Sequence, residues 1–330
     1  MESIERLYQQ AADAQHEGKI GKAIGFVKQA LAIEPSNAES WLRLAGLQNE
    51  AGAYEAALRS YETAVEHDGT STLAFNGLGR TYYDLKRYDE AEAAFRRSVR
   101  LDPNSPESHI QLGVVLSSLY RNDEAIESYR RAIRLRHVLP EYPYEDAYYN
   151  LGIEYKLKDK LELAERMYEK ALELDPQFAE AYREHGWVRF AHKDSATAAR
   201  QIDHALDLDP NDFWSHLYRA IIYWDDFSEE QAERHYKQAC ELAPHDTLPF
   251  TCLGEFYMET DRDTEAEACF REAISIDEKD ADAAFHYAEF LAETDRPDEA
   301  RNWAARSLEL DGRHIEASEL LDRLENRRRR

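Results

Sequence analysis

Three cysteines, Cys240, Cys252 and Cys269, fall in a stretch that also carries His235 and His245. Thiolates and imidazoles are the side chains that hold zinc or act as nucleophiles. Such sites place ligands at short fixed spacings, and no Cys-x2-Cys pair occurs here. The odd number argues against a disulfide framework, so the three read as reduced, mostly buried small residues and no metal site is expected. Gly18-Lys19-Ile20-Gly21-Lys22 has the composition of a phosphate loop. It lacks the Gly-x4-Gly-Lys-Ser/Thr spacing, and no strand pattern precedes it. His-Glu-x2-His and Gly-x-Ser-x-Gly are absent as well. Asp and Glu total 66 of 330 residues, so carboxylate pairs suited to acid–base work arise by chance on any exposed face. The chain is expected to be no enzyme and to carry no cofactor.

The elements that would position any site are helical. Hydrophobic residues make up 43% and aromatics 11%, enough to bury a core. Thirteen glycines and ten prolines are too few for a loop-rich β protein of this length. The dominant residues, Ala, Leu, Glu and Arg, favour helix. A net charge of −25 repels phosphate backbones, so nucleic acid is not an expected partner. The basic run Arg327–Arg330 reads as a tail whose cations complement a helix C-terminus. The start, Met1-Glu2-Ser3-Ile4-Glu5-Arg6, has no basic segment followed by an apolar run. No stretch has the apolar length of a membrane span. The expected setting is therefore cytoplasmic, without membrane insertion.

A period organises the whole chain. Pro176, Pro210 and Pro244 stand 34 residues apart, and Pro35, Gly69 and Pro103 keep the same interval. Nine repeats begin at Ile4, Ala38, Thr72, Pro106, Glu145, Ala179, Phe213, Thr247 and Ala281, the last ending near His314. The twentieth residue of each is alanine: Ala23, Ala57, Ala91, Ala125, Ala164, Ala198, Ala232, Ala266 and Ala300. The eighth is always Gly or Ala. Glycine inside a helix costs about 0.5–1 kcal/mol relative to alanine, so five glycines at one position predict close backbone approach between paired helices. Leu78-Gly79 with Tyr82 recurs as Leu151-Gly152 with Tyr155 and as Leu253-Gly254 with Tyr257. An aromatic follows the alanine by four residues in Ala91/Phe95, Ala164/Tyr168 and Ala266/Phe270.

These residues resemble the tetratricopeptide repeat pattern W-x2-L-G-x2-Y, then A-x3-F, then a closing Pro. The resemblance implies an all-α, right-handed superhelical solenoid of antiparallel helix pairs, each stacking on the next because none can bury its apolar stripe alone. The expected organisation is repeats 1–4 over 4–144, repeats 5–9 over 145–314, a capping helix at 315–326 and a basic tail at 327–330. The interval from Gly113 to Gly152 is 39 residues, five over the period. The surplus falls around His137–Tyr144, where two prolines exclude helix. This segment reads as an insertion in a connecting loop, or as a hinge or contact loop carrying Tyr142 and Tyr144.

The resemblance also implies where function lies. First helices line a concave face, with repeat positions 2, 5, 9, 12 and 13 turned inward. Those positions include Asn76, Arg80 and Tyr83 toward the front, then Tyr149, Lys156, Arg183, Trp187 and Phe190. Trp214, Leu217, Ile221 and Trp224 come next, and the far end is acidic with Glu255, Glu259, Glu289 and Glu293. Trp187, Phe190, Trp214 and Trp224 are expected either to pack between first helices or to form anchor pockets, since Trp and Tyr dominate binding hot spots. Trp41 and Trp303 read as structural. Some members of the family clamp acidic tails through Lys, Asn and Arg at set positions of three repeats. Here those positions hold Tyr8 and Ala12, Arg43, then Leu73 and Gly77, which argues against that ligand. The expected function is a scaffold or adaptor binding a peptide or helical segment of another protein, with an apolar or aromatic stretch and a basic flank. The alternatives are a helical-repeat nucleic-acid binder or a non-catalytic regulatory subunit.

Overall fold

The computed structural model describes residues 3–328, with side chains through 325. Nineteen α-helices occur among the described residues. They pair as α1 (Ile4–His16) with α2 (Ile20–Ile33), α3 (Ala38–Glu50) with α4 (Tyr54–His67), and α5 (Thr72–Asp84) with α6 (Tyr88–Leu101). Next come α7 (Pro106–Ser118) with α8 (Asn122–Arg134) and α9 (Glu145–Leu157) with α10 (Leu161–Leu174). The remaining pairs are α11 (Ala179–Ala191) with α12 (Ser195–Leu208), α13 (Phe213–Asp225) with α14 (Glu229–Leu242), α15 (Thr247–Glu259) with α16 (Asp263–Ile276), and α17 (Ala281–Glu293) with α18 (Pro297–Leu310). A single helix, α19 (Ile315–Arg328), follows. The first helix of every pair starts at the residue the period marks. By contacts the chain forms two compact units, Met1–Pro176 and Gln177–Arg330.

Local chemistry explains the boundaries. Ser3, Asn37, Ser71, Ser105, Asp212, Asp246 and Asp280 precede first helices, and their side-chain oxygens accept from backbone N–H groups of the first turn. Each first helix ends in one turn geometry, with the fifteenth repeat residue in the left-handed region. Gly52 takes φ 71° without steric cost, whereas Phe227 is held at 55°. In repeat 3 the N–H of Lys86 donates to the Tyr83 carbonyl and that of Arg87 to the Tyr82 carbonyl. The second of these spans five residues, which closes the helix as a Schellman turn does.

All nine position-20 alanines are fully buried. The position-8 glycines differ from expectation in what they admit. A Cβ on Gly79 would lie 2.6 Å from the Phe95 ring, one on Gly113 2.5 Å from Tyr129, and one on Gly152 2.5 Å from Tyr168. The nearest neighbours of these three, and of Gly254, are therefore aromatic rings of the second helix, whereas Gly186 meets Ile202 at 2.7 Å and the backbone carbonyl of Ala198 at 3.1 Å. Ring burial offsets the helix penalty of glycine.

Successive first helices also touch: α3 with α5, α5 with α7 and α7 with α9 in the first unit, then α11 with α13, α13 with α15 and α15 with α17 in the second. α19 lies on α17 and α18, and its Ala317, Leu320 and Leu324 complete the core of the second unit. The 137–144 segment is anchored. Tyr144 is buried, donates its hydroxyl to the Leu139 carbonyl at 3.1 Å and stacks edge-on with Tyr142 at 5.1 Å. Val138 and Leu139 are the exposed apolar residues of this loop instead.

Candidate partner-binding face

The thiols that the sequence marks are quenched by burial. Cys240 is buried and Cys252 and Cys269 half-buried, all free. Burial pushes the thiols of Cys240 and Cys252 up to about 12 and that of Cys269 to about 11, so all remain protonated and weakly nucleophilic at neutral pH. His235 meets His216, not a cysteine, with their Nδ1 atoms 3.0 Å apart. The Nε2 of His216 lies 3.2 Å from the Pro210 carbonyl, which can only accept. His216 therefore carries its proton on Nε2, and the Nδ1–H of His235 donates to it. Burial, then the neighbouring His216, lowers the pKa of His235 to about 4. The Gly18–Lys22 segment forms a left-handed turn at Gly18 leading into α2.

In the second unit, the face built by α11, α13, α15 and α17 gathers most of the aromatic residues marked by the sequence. The Trp187 ring stacks on Tyr218 with centroids 4.5 Å apart and an interplanar angle of 22°, and Phe190 lies 5.6 Å from Trp187. Trp187 and Phe190 thus join α11 to α13. Trp214 stands 6.1 Å from Tyr218 and keeps 37% of its surface exposed. Leu217 is buried in the core, and Ile221 is half-buried against it. Trp224 sits edge-on to Phe256 at 5.1 Å and donates its indole N–H to Glu259 at 2.7 Å. Its aromatic face and the acidic end of the surface therefore meet across α13 and α15.

Glu255 lies 2.7 Å from Nδ1 of His286, while Glu289 is half-buried and Glu259 and Glu293 are exposed. Burial alone would lower the pKa of His286, but the Glu255 and Glu289 carboxylates outweigh it and raise it. Arg183 is buried, its guanidinium 2.8 Å from Asp212 and 3.3 Å from Glu184. This ties α11 to the residue that caps α13.

In the first unit, Asn76 is buried and accepts from Ser108 at 3.1 Å. Arg80 is exposed, and the half-buried Tyr83 meets the Ser118 hydroxyl at 3.1 Å. Tyr149 lies 6.0 Å from Tyr168, and Lys156 is half-buried. Trp41 donates its indole N–H to the Pro35 carbonyl, and Trp303 packs against Tyr287. Tyr218, Phe256 and His286 belong to the face but escaped the sequence reading. Tyr218 and His286 occupy repeat position 6, outside the inward set, and for Tyr218 the aromatic Trp187 at position 9 of the preceding repeat was the available signal.

Family models described as tetratricopeptide repeat match residues 14–68, 50–106, 106–136, 145–178 and 253–280, together more than half of the chain. The chain belongs to the tetratricopeptide repeat family. A tetratricopeptide repeat protein from Parabacteroides merdae superposes with a TM-score of 0.60 at 18% identity, covering 77% of this chain and 98% of that one. The yeast Tom70 structure gives 0.58 at 16% identity, covering 99% and 82%. A monomeric mutant of IFIT1 solved with Gppp-AAAA gives 0.65 at 15% identity, covering 97% and 80%. At these identities the likeness is one of fold. No curated protein sequence matches the chain. Among the described residues no helix is long and apolar enough to cross a membrane. The tetratricopeptide repeat fold makes the chain a protein-interaction repeat scaffold, and such repeats are typically non-catalytic.

Proposed function

We propose that this scaffold acts without catalysis and holds a peptide or helical segment of a partner protein along the first-helix face of its second unit. One observation carries the reading: the face changes from aromatic to acidic over adjoining helices. Trp214 is 37% exposed on α13, and Trp224 bonds to Glu259 on α15. A segment with an apolar or aromatic anchor followed by basic residues matches that order. Burying one such anchor is worth about 1.5–3 kcal/mol, and the flanking charges set orientation and association rate. In the first unit, Arg80, Tyr83, Tyr149 and Lys156 are proposed to engage a partner through the same class of helix. We further propose a cytoplasmic setting. The net charge of −25 favours protein over nucleic acid as partner.

The test compares partners recovered from native lysate by the full chain, by Trp214→Ala and by Glu255→Lys/Glu289→Lys. The same proteins should be lost from both variants while their helical circular dichroism is unchanged. Equal recovery by folded variants refutes the reading. A gel shift with nucleic acid that weakens steeply with salt would favour the nucleic-acid alternative.

A further inference from the structure

Repeat 2 departs from the ring packing of repeats 3, 4 and 5. Position 8 is Ala45 instead of glycine, so the ring at position 24, Tyr61, cannot lie where Phe95, Tyr129 and Tyr168 lie in their repeats. It reaches into the next repeat, where a Cβ on Gly77 would lie 2.3 Å from the ring. Its hydroxyl emerges beside Gly46, whose added Cβ would meet only that oxygen, at 3.9 Å. Packing therefore requires Gly77 to be glycine but makes no such demand of Gly46, which weakens α3 without a steric reason. The two bare positions leave a recess of about 510 Å³ between α3 and α5.

The lining of this recess is specific. Leu42 and Leu73 form apolar walls, and Leu73 is 61% exposed. The floor is Tyr61, only 7% exposed, whose hydroxyl has no hydrogen-bond partner among the described residues. That oxygen opens onto the recess, so a guest reaching the floor can meet it. Glu50, Asp84 and Glu107 face the recess against a single cation, Arg80, which forms no ion pair among the described residues. Glu50 already accepts from Gln15 at 2.6 Å. The local balance is negative, so a cation is favoured and an anion opposed. Asn49 and Asn76 accept from Thr81 and Ser108 through their side-chain oxygens, which leaves their amide N–H groups as donors for a partner's backbone carbonyl.

We propose that this recess is a subsite for one basic side chain of a protein partner, with the alkyl stem of a lysine or arginine along Leu42 and Leu73 and its cation at Glu50, Asp84 and the Tyr61 hydroxyl. The inference rests on the scaffold reading, but its test needs no natural partner, so either can fail alone. The full chain, labelled with ¹³C in its tyrosine rings, is titrated with the N-methylamides of Nα-acetyl-lysine, Nα-acetyl-arginine and Nα-acetyl-glutamate. Tyr61→Phe identifies the Tyr61 signal. The two basic compounds should shift that signal saturably, and the glutamate compound should not. Gly46→Leu fills the recess while improving helix propensity, and should weaken the basic compounds by about tenfold or more. Glu50→Gln/Asp84→Asn removes charge without filling space and should weaken them likewise. The proposal is overturned by the absence of a saturable shift, by equal binding of the glutamate compound, or by undiminished binding to either folded variant.

Discussion

Two glycine-to-alanine substitutions in first helices should change stability in opposite directions. In Gly113→Ala the new methyl lies 2.5 Å from the Tyr129 ring. Carbon atoms settle at about 3.5–4.0 Å, so the ring must retreat by about 1 Å or more. Tyr129 is 1% exposed, and a close-packed interior offers it no free space. Overpacking of this kind costs about 1–3 kcal/mol. Alanine's better helix propensity returns about 0.5–1 kcal/mol, so a net loss of up to about 2.5 kcal/mol is expected. In Gly46→Ala the methyl makes an ordinary 3.9 Å contact with the Tyr61 hydroxyl, leaving only the propensity gain of about 0.5–1 kcal/mol. Urea titrations followed by circular dichroism read both as shifts in midpoint, which should fall for Gly113→Ala and rise for Gly46→Ala. Midpoints moving the same way would refute the claim that ring contact, and not helix propensity, governs the eighth position.

Two further perturbations test other features. Phe227 is 93% exposed and sits at φ 55°, so Phe227→Gly relieves a left-handed non-glycine residue without losing packing. It should raise the urea midpoint by an amount equivalent to about 1 kcal/mol, and a lower midpoint would contradict the strain argument. The His216–His235 pair gives a pH dependence. His235 has a folded pKa of about 4, below the ordinary 6.5, so the unfolded chain binds the extra proton between these values. The pair's contribution is complete above about pH 6.5 and fades as pH falls toward 4. Asp203 favours the charged ring, whereas Arg219, Arg234 and His216 oppose it. His235→Phe should therefore lose less stability than the parent over this interval, measured by urea midpoints at successive pH values. An identical decline in both proteins would show that the pair does not contribute.

The fold was legible because one period controls caps, small residues and rings together. Ser71, Ala91 and Phe95 each mark a boundary or a contact that depends only on neighbours in the same helix pair. The glycine rule was legible as a pattern but not as a mechanism. Position alone does not reveal that the atom opposite Gly113 belongs to the side chain of Tyr129. The binding face was harder still. That Trp187 spends one side of its ring on Tyr218, or that Arg183 is committed to Asp212, follows from rotamers set across two repeats. The recess beside Gly46 lay furthest from view, since it depends on Ala45 displacing a ring into the following repeat. Alanine in place of glycine at position 8, together with Gly46 and Gly77, was the written sign of it.

The left-handed turn after each first helix has a practical consequence. The same backbone corner carries glycine, lysine, tyrosine, aspartate and phenylalanine at Gly18, Lys86, Tyr120, Asp159 and Phe227. Side chains of such different size share one geometry, and Tyr120 and Phe227 stand almost wholly in solvent. These corners are natural attachment points for dyes or crosslinkers. Labels placed at chosen corners within one unit would report its extension or compression when a guest is bound, with little disturbance to the packed helices behind them.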